Sequence, residues 1–523
     1  MNNHNLSLKL FIAALVCLGV FLSFYYRFNP GGDYANYYFG SKFLIKGIPI
    51  DKIYDPASFN VLISDEGINK VFINYAPVPP FSLLFFIPFT VVDFYTSKVL
   101  FNLISVFIFC FSLYRFLEFV NFQNKFLPFL FLIIIMPVRN NIILGQSYLL
   151  LIFFLMEGYI LSENKKQFSS SFLFAIPIVL KIFPAIIFIW LFITGRIKEL
   201  WLTIIFCGIL FLCVVPFTGF MHVWSYCTST FPRLSAGEFN DPFSVTYQTI
   251  TVLLRRLFVY DGMMNTHVWI SSPLLFNVLN TLVIGFIFTA GIYVLRQYMQ
   301  NTLFTFGFVV FLGLLISGYG TSYSLILLTI PAVDLLKENE SLSLKITYAV
   351  LLILITVFPV HLFLKTSFPF QYIRLWLLLI VFTIMLSKRK LKISLWNYCI
   401  IIALLSIPVI FRYMKKEDES SYYLNSEPSA LLLDFNIHQD KLMVYYFNDN
   451  GKDSTLYSTN FKVNKIEELP IINNQVLYQH TPLTFGGDLK KKAMLINGEE
   501  LLYLSDKGKG VGLYSLRKLI INK

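Results

Sequence analysis

In a chain that is mostly apolar, few side chains can do chemistry. The first is Asp33, in the run Asn29-Pro30-Gly31-Gly32-Asp33-Tyr34-Ala35-Asn36-Tyr37-Tyr38. An acid that emerges from a membrane helix within a few residues of its end sits where low dielectric meets water. Partial burial there raises a carboxyl pKa and suits the group to take a proton from a hydroxyl. The competing reading is an N-cap, since Gly-Gly-Asp before a helix-forming stretch is an ordinary helix start. Lys181 lies between two apolar half-helices, in Lys181-Ile182-Phe183-Pro184. A lysine there either snorkels to the surface or meets an anion, and a phosphate at the membrane rim is one it would hold as a point charge. Arg139, Arg255 and Arg256 are of the same kind, with anchoring to lipid headgroups as the alternative for each. Gln146 follows Gly145 at a helix start, where its amide either satisfies nearby backbone or contacts a sugar. Tyr37, Tyr38, Tyr75 and Trp224 are loop aromatics that would stack on a sugar or simply sit in the interface.

His222, His267 and His361 lack metal-ligand spacing such as i, i+4, and five of the six cysteines (Cys17, Cys110, Cys207, Cys213, Cys399) fall in apolar runs, leaving Cys227 in a polar loop. Neither a metal centre nor a disulfide framework is implied.

The elements that must position these groups are membrane helices. Charged residues are 14% of the 523 and hydrophobic ones 56%, against about 25% charged in a soluble protein. The net charge of +12 does not indicate nucleic acid. Residues 415–523 hold 14 basic and 14 acidic residues, so the excess lies in the apolar part and reads as loop charge on the cytoplasmic side. Lys9 precedes the first apolar run and no small-residue cleavage site follows it, which predicts an uncleaved first span.

Placing basic clusters inside yields about thirteen transmembrane helices, at 8–26, 96–117, 126–138, 146–161, 168–180, 182–194, 198–216, 272–295, 302–316, 323–336, 346–363, 371–387 and 394–411. Lys388-Arg389-Lys390-Leu391-Lys392 is the strongest inside signal. The apolar piece Phe81–Val92 is short and broken by Pro88, so it is expected to be re-entrant or interfacial. This topology leaves a first outer loop at 27–95 and a large outer loop at 217–271. Asp33, the Arg139–Gln146 turn, Lys181, the large loop and Ser317-Gly318-Tyr319-Gly320-Thr321-Ser322 then share the outer face.

Beyond Arg412 the pattern changes to short alternating apolar runs separated by turn signals such as Asn448-Asp449-Asn450-Gly451, Gly486-Gly487-Asp488 and Asn497-Gly498. The chain therefore divides into a transmembrane domain at 1–412 and a β-rich domain at 413–523 on the outer side.

The set Gly31-Gly32-Asp33-Tyr34, Tyr75-Ala76-Pro77-Val78-Pro79-Pro80, Gly145-Gln146 and Lys181-Ile182-Phe183-Pro184 resembles glycosyltransferase family 87, over roughly residues 8–336. Asn240 to Ser244 with Arg256 is similar to a further segment of that family, with Asp241 and Pro242 departing from it. Tyr323, after the 317–322 turn, stands where the family commonly has histidine. The resemblance implies a mainly α, polytopic C-type glycosyltransferase fold, with the β-rich tail outside the common pattern. It also implies a polyprenyl-phosphate-sugar donor as co-substrate and a catalytic aspartate in the first outer loop, here Asp33.

The combined expectation is a mannosyltransferase-like enzyme of the bacterial cytoplasmic (inner) membrane. It would transfer a hexose or pentose to a lipid-linked or cell-envelope glycan acceptor at the outer face, with inversion. Asp33 would be the base. Lys181, Arg139, Arg255 and Arg256 would hold the donor phosphate, and Tyr34, Tyr37, Gln146, Asn240, Gln248, Tyr319 and Tyr323 would contact sugar or acceptor. No cofactor or nucleic acid is expected, and a requirement for a divalent metal is left open. The rival readings are a transporter or flippase of a lipid-linked glycan, which the similar half-helix pairs at 126–161 and 168–194 keep in play, and an envelope polysaccharide polymerase or ligase.

Overall fold

The computed structural model describes the chain except for residues 1–2, 31, 69–72, 236, 239–240, 263, 338–340, 365, 367, 388–394, 415–421, 424–430, 439–440, 449–450, 461–462, 473, 480, 487 and 522–523. The basic run 388–392, the site candidate Asn240 and the centre of the 448–451 turn lie outside the described residues.

Six described helices are long and apolar enough to cross a membrane: Leu6–Tyr25, Phe94–Phe119, Asn124–Leu144, Ile197–Thr218, Pro273–Gln297 and Phe370–Ser387. Shorter apolar helices occupy Gln167–Lys181, Phe183–Ile193, Thr302–Ile316, Leu342–Val357 and Tyr398–Ile407. Each span expected from the sequence falls on a helical segment, but among the described residues full spanning length belongs to these six. The bundle is held by one continuous apolar core. The Tyr148–Glu163 helix packs on Gln167–Lys181 and on Phe94–Phe119, and the first helix packs on Phe94–Phe119 and Leu127–Leu144.

Two local expectations shift. The helix beginning at Leu127 runs on to Leu144 instead of stopping near 138. Pro137 removes one backbone donor without ending the helix, and the Asn141 side-chain amide donates to the Pro137 carbonyl at 2.8 Å. The stop is Gly145, whose left-handed φ of 66° closes the C-terminus. Arg139 therefore lies on a helix and not in a turn. The Phe81–Val92 piece forms a helix Phe81–Phe85 and a 3-10 turn Ile87–Val91, both too short to cross and both packed on the helix Gly32–Ile45.

The segment after the first helix is helical: Gly32–Ile45, Ile50–Tyr54 and Pro56–Asp65. The loop after Ile197–Thr218 continues as helix Phe220–Ser225, a π-helical turn Tyr226–Thr230 and helix Phe231–Ser235.

The C-terminal region is β-rich. A five-stranded antiparallel sheet runs in the order Tyr422–Tyr423, Ser515–Ile520, Glu500–Ser505, Lys490–Ile496, Ile466–Glu468. A three-stranded meander, Leu431–His438, Lys441–Asn448 and Gly451–Asn460, packs on it through Leu432, Phe435, Leu442 and Val444 against Met494, Leu502, Leu504 and Leu516. The Asn497-Gly498 signal is a turn between the strands Lys490–Ile496 and Glu500–Ser505, with both φ positive at 52° and 73°.

Candidate active site

Asp33 is the second residue of the Gly32–Ile45 helix. A carboxylate in a first turn faces the positive end of the helix dipole. Helical spacing then sorts the aromatic residues that follow it. Tyr37, four residues on, shares the Asp33 face, whereas Tyr34 and Tyr38 turn to the opposite side and pack on Phe94. The Tyr34 hydroxyl is spent on the Ser97 hydroxyl at 2.5 Å.

Three other segments converge on the Asp33–Tyr37 face. The first is Gly145-Gln146. The Gln146 side chain accepts from the Tyr37 hydroxyl at 3.1 Å, and its amide lies beside the Asp33 carboxyl, whose charged form it favours. Gly145 makes this approach by having no side chain: a Cβ there would lie 2.4 Å from the Tyr34 Cβ. The second is Lys181. Its ammonium lies 5.3 Å from the Tyr37 ring centroid and 5.7 Å from that of Tyr148, and is in electrostatic range of Asp33. The third is the 317–323 turn with Tyr247. Tyr319 and Tyr247 rings are 4.2 Å apart, Tyr323 and Tyr148 rings 5.3 Å apart, and all three of Tyr247, Tyr319 and Tyr323 are in electrostatic range of Asp33. Burial pushes the Asp33 carboxyl above its ordinary pKa; Lys181 and the Gln146 hydrogen bond oppose this.

The backbone around Lys181 explains its reach. Lys181 ends one helix, Ile182 has φ 54° and ψ −40°, and the chain restarts as the 3-10 turn Phe183–Ile186 with Pro184 near its start. A β-branched residue at positive φ costs on the order of 1–3 kcal/mol and persists only where its surroundings dictate it. The break leaves the lysine at a helix C-terminus, where a cation is favoured.

A second, buried lysine positions the two segments. Lys98, near the start of the Phe94–Phe119 helix, donates to the carbonyls of Asn29 at 2.6 Å and Ile143 at 2.7 Å. Its neighbour on the same helix face, Asn102, donates to the Ile142 carbonyl at 3.0 Å. Together they satisfy the last carbonyls of the Leu127–Leu144 helix and tie them to the chain just before Asp33. Asn141 does the same for the third segment, donating to the Tyr323 carbonyl at 2.9 Å. Phe86, from the interfacial piece, stacks on Tyr37 with ring centroids 4.3 Å apart and backs the site.

Of the residues singled out in the sequence, Asp33, Tyr37, Gln146, Lys181, Tyr319 and Tyr323 come together. The other described ones are engaged elsewhere. Arg139 donates to the Tyr26 hydroxyl at 3.0 Å. Arg255 donates to the Gly237 carbonyl and Arg256 to the Phe243 carbonyl, each at 3.3 Å. Gln248, at φ 50°, donates to the Val245 and Gln371 carbonyls and accepts from the Arg374 amide, so its whole side chain joins two loops. Tyr148 and Lys98 were not singled out. A lysine four residues into a long apolar helix was the available signal for Lys98.

Residues 78–318 match the model of glycosyltransferase family 87. That stretch is narrower than the resemblance read from the motifs. It contains Gln146 and Lys181 and leaves Asp33, Tyr37, Tyr319 and Tyr323 outside it. No curated protein matches the chain, and no solved structure does.

Proposed function

We propose that this chain, whose residues 78–318 match the model of glycosyltransferase family 87, is a membrane glycosyltransferase that transfers a mannose-like hexose or a pentose from a polyprenyl-phosphate donor to a lipid-linked or cell-envelope glycan. The observation that supports this reading is the meeting of Asp33 with Lys181 and Gln146, from three segments of the chain, at one end of the helical bundle.

A polyprenyl phosphate is too apolar to leave the bilayer, so the enzyme that uses it needs a cation for the phosphate and a base for the acceptor at the membrane surface. Lys181 holds the phosphate, with the Tyr37 and Tyr148 rings on its flanks. Asp33 accepts the proton of the acceptor hydroxyl. The acceptor oxygen bonds to the anomeric carbon as the bond from that carbon to the phosphate oxygen breaks, and polyprenyl phosphate leaves with the electron pair. Lys181 stabilises the charge that develops on that oxygen. A single displacement inverts the anomeric centre. The Gln146 amide beside Asp33 and the Tyr37 and Tyr148 rings beside Lys181 keep the carboxylate and the ammonium in separate roles. Tyr319 and Tyr323 bound the space for sugar or acceptor. The reading needs no cofactor beyond the donor.

In the same proposal the shorter apolar helices complete the crossings to about thirteen, with basic loops in the cytoplasm. Asp33 and the β domain then face the outer side of a bacterial inner membrane. The test is product analysis. Purified protein in lipid vesicles is given polyprenyl-phosphate-linked mannose or a pentose and candidate lipid-linked acceptors, and the product is examined by NMR. Transfer with inverted anomeric configuration is expected. Retained configuration contradicts the single displacement, and movement of intact lipid-linked glycan across the vesicle without any new glycosidic bond contradicts the transferase assignment.

A further inference from the structure

The β domain lies outside the stretch matched to the family, yet the structure wedges it into the segment after the first helix. The connection between its strands Glu500–Ser505 and Ser515–Ile520, residues 506–514, makes the contact. Asp506, fully buried, accepts from the Leu489 amide at 2.7 Å and the Gly512 amide at 2.8 Å, and forms an ion pair with Arg233 at 2.9 Å. Arg233 is itself buried and reaches Glu238 at 2.8 Å with its other edge. Five residues further along the loop, the Val511 carbonyl accepts from the Asn74 side chain at 3.0 Å. Gly512 lies so close to Pro56 and Ala76 that a Cβ there would meet them at 2.9 and 3.1 Å. Lys491 adds an ion pair to Asp55 at 2.9 Å, at the cap of the Pro56–Asp65 helix.

What this loop holds leads directly to the site. Asn74 and Ala76 flank Tyr75, whose ring lies on Gly40, at a spot where a Cβ would be 2.5 Å from the ring. Gly40 is on the helix that carries Asp33 and Tyr37. The next residues are clasped as well: the Pro77 carbonyl accepts from the Tyr226 hydroxyl at 2.9 Å, and Tyr226 belongs to the same helical stretch as Arg233. The buried ion pair and the wedge therefore act on one object, the segment 74–77, from two sides.

We propose that the C-terminal β domain is a positioning element of the active site: its 506–514 loop, locked by Asp506 to Arg233, clamps residues 74–77 onto the Gly32–Ile45 helix and so fixes Asp33 against Lys181. The inference rests on the functional reading for its kinetic arm only. Its structural arm is independent of what the site catalyses.

The test compares the parent with Arg233→Met and with the double variant Arg233→Met, Asp506→Asn, in the full chain. Hydrogen exchange of helix Gly32–Ile45 is followed, with helix Leu342–Val357 as reference, together with kcat and donor KM. Arg233→Met leaves Asp506 buried without its cation, and exchange in Gly32–Ile45 is expected to rise about tenfold relative to the reference helix. With it kcat should fall by about 10- to 100-fold, the scale on which a small misplacement acts. The double variant removes the unpaired buried charge while the amide oxygen at position 506 still accepts from a backbone amide of the loop, and is expected to recover part of both quantities. Unchanged exchange in Gly32–Ile45 overturns the clamp whether or not transfer is detected. A rise with full kcat overturns the positioning role, and a rise spread evenly over the bundle overturns it too, since the pair would then be a general stabiliser. Deleting 413–523 should reproduce the effects of Arg233→Met; where that shortened chain does not fold, the two substitution variants decide.

Discussion

Gly145→Ala perturbs the site without touching a reacting group, and the structure sets its size. Gly145 has φ 66°, a conformation that costs a residue with a Cβ roughly 1–2 kcal/mol. The added Cβ would lie 2.4 Å from the Tyr34 Cβ. Both atoms are fixed to backbone, so neither can rotate away. Restoring ordinary carbon contact near 3.5 Å requires a backbone shift of about 1 Å. Tyr34 adjoins Asp33 and Gly145 adjoins Gln146, so the shift falls on the Asp33–Gln146 pair. A displacement of that size is expected to lower kcat by about 100-fold, read in a steady-state transfer assay with saturating donor. Gly47→Ala is the control: its φ is 73°, so the backbone strain is similar, but nothing lies within 4 Å of its added Cβ. It is expected to keep kcat near the parent value. Equal effects of the two substitutions, or parent-level kcat in Gly145→Ala, would refute the argument that close packing at Gly145 sets the site geometry.

Lys98→Met leaves the Asn29 and Ile143 carbonyls without their donor; a loss of about 1–3 kcal/mol of stability and a lower kcat at unchanged donor KM are expected, checked by thermal unfolding and initial rates. Lys181→Ala removes a charge-assisted contact to the donor phosphate and should raise the donor KM by about 10- to 100-fold; an unchanged donor dependence removes Lys181 from the phosphate site. His222, packed on Tyr54 with rings 4.1 Å apart, is held at about 4 by burial, against the small opposing effect of Asp51. The unfolded chain binds that proton near pH 6.5, so stability falls as pH drops from about 6.5 toward 4 and is intact above that window. In His222→Phe the loss of melting temperature between pH 7 and pH 5 should be smaller, and an equal loss would assign the acid sensitivity to other groups.

The parts of this fold legible in the sequence were those set by hydropathy and charge. Loop charge placed Asp33, Gln146, Lys181 and Tyr319 on one side of the bundle, and the structure brings those same residues together. Length was less legible, because a segment such as Thr302–Ile316 is apolar throughout yet shorter than a full crossing. Helical phase separated residues that composition could not: Tyr34 and Tyr37 look alike in the sequence, but a start at Gly32 sends one into the Phe94–Phe101 core and the other to Lys181. Arg139 and Gln248 were drawn toward the site by type alone. Their partners, Tyr26 and the 371–374 backbone, are distant in sequence and visible only in three dimensions. The same holds for the clamp, since Arg233 and Asp506 are separated by most of the large loop, the five apolar helices from Pro273–Gln297 to Tyr398–Ile407 and the β domain's own turns.

The central claim is that Asp33 takes the acceptor proton. Its most direct measurement is the kcat of Asp33→Asn beside that of the parent across pH, with polyprenyl-phosphate sugar and acceptor saturating and with the melting temperature showing the variant folded. The parent is expected to lose activity as pH falls through a carboxyl pKa that burial has raised above its ordinary value, and the variant to have almost no transfer at any pH. Parent-level transfer by folded Asp33→Asn, with the same acid limb, would contradict the account.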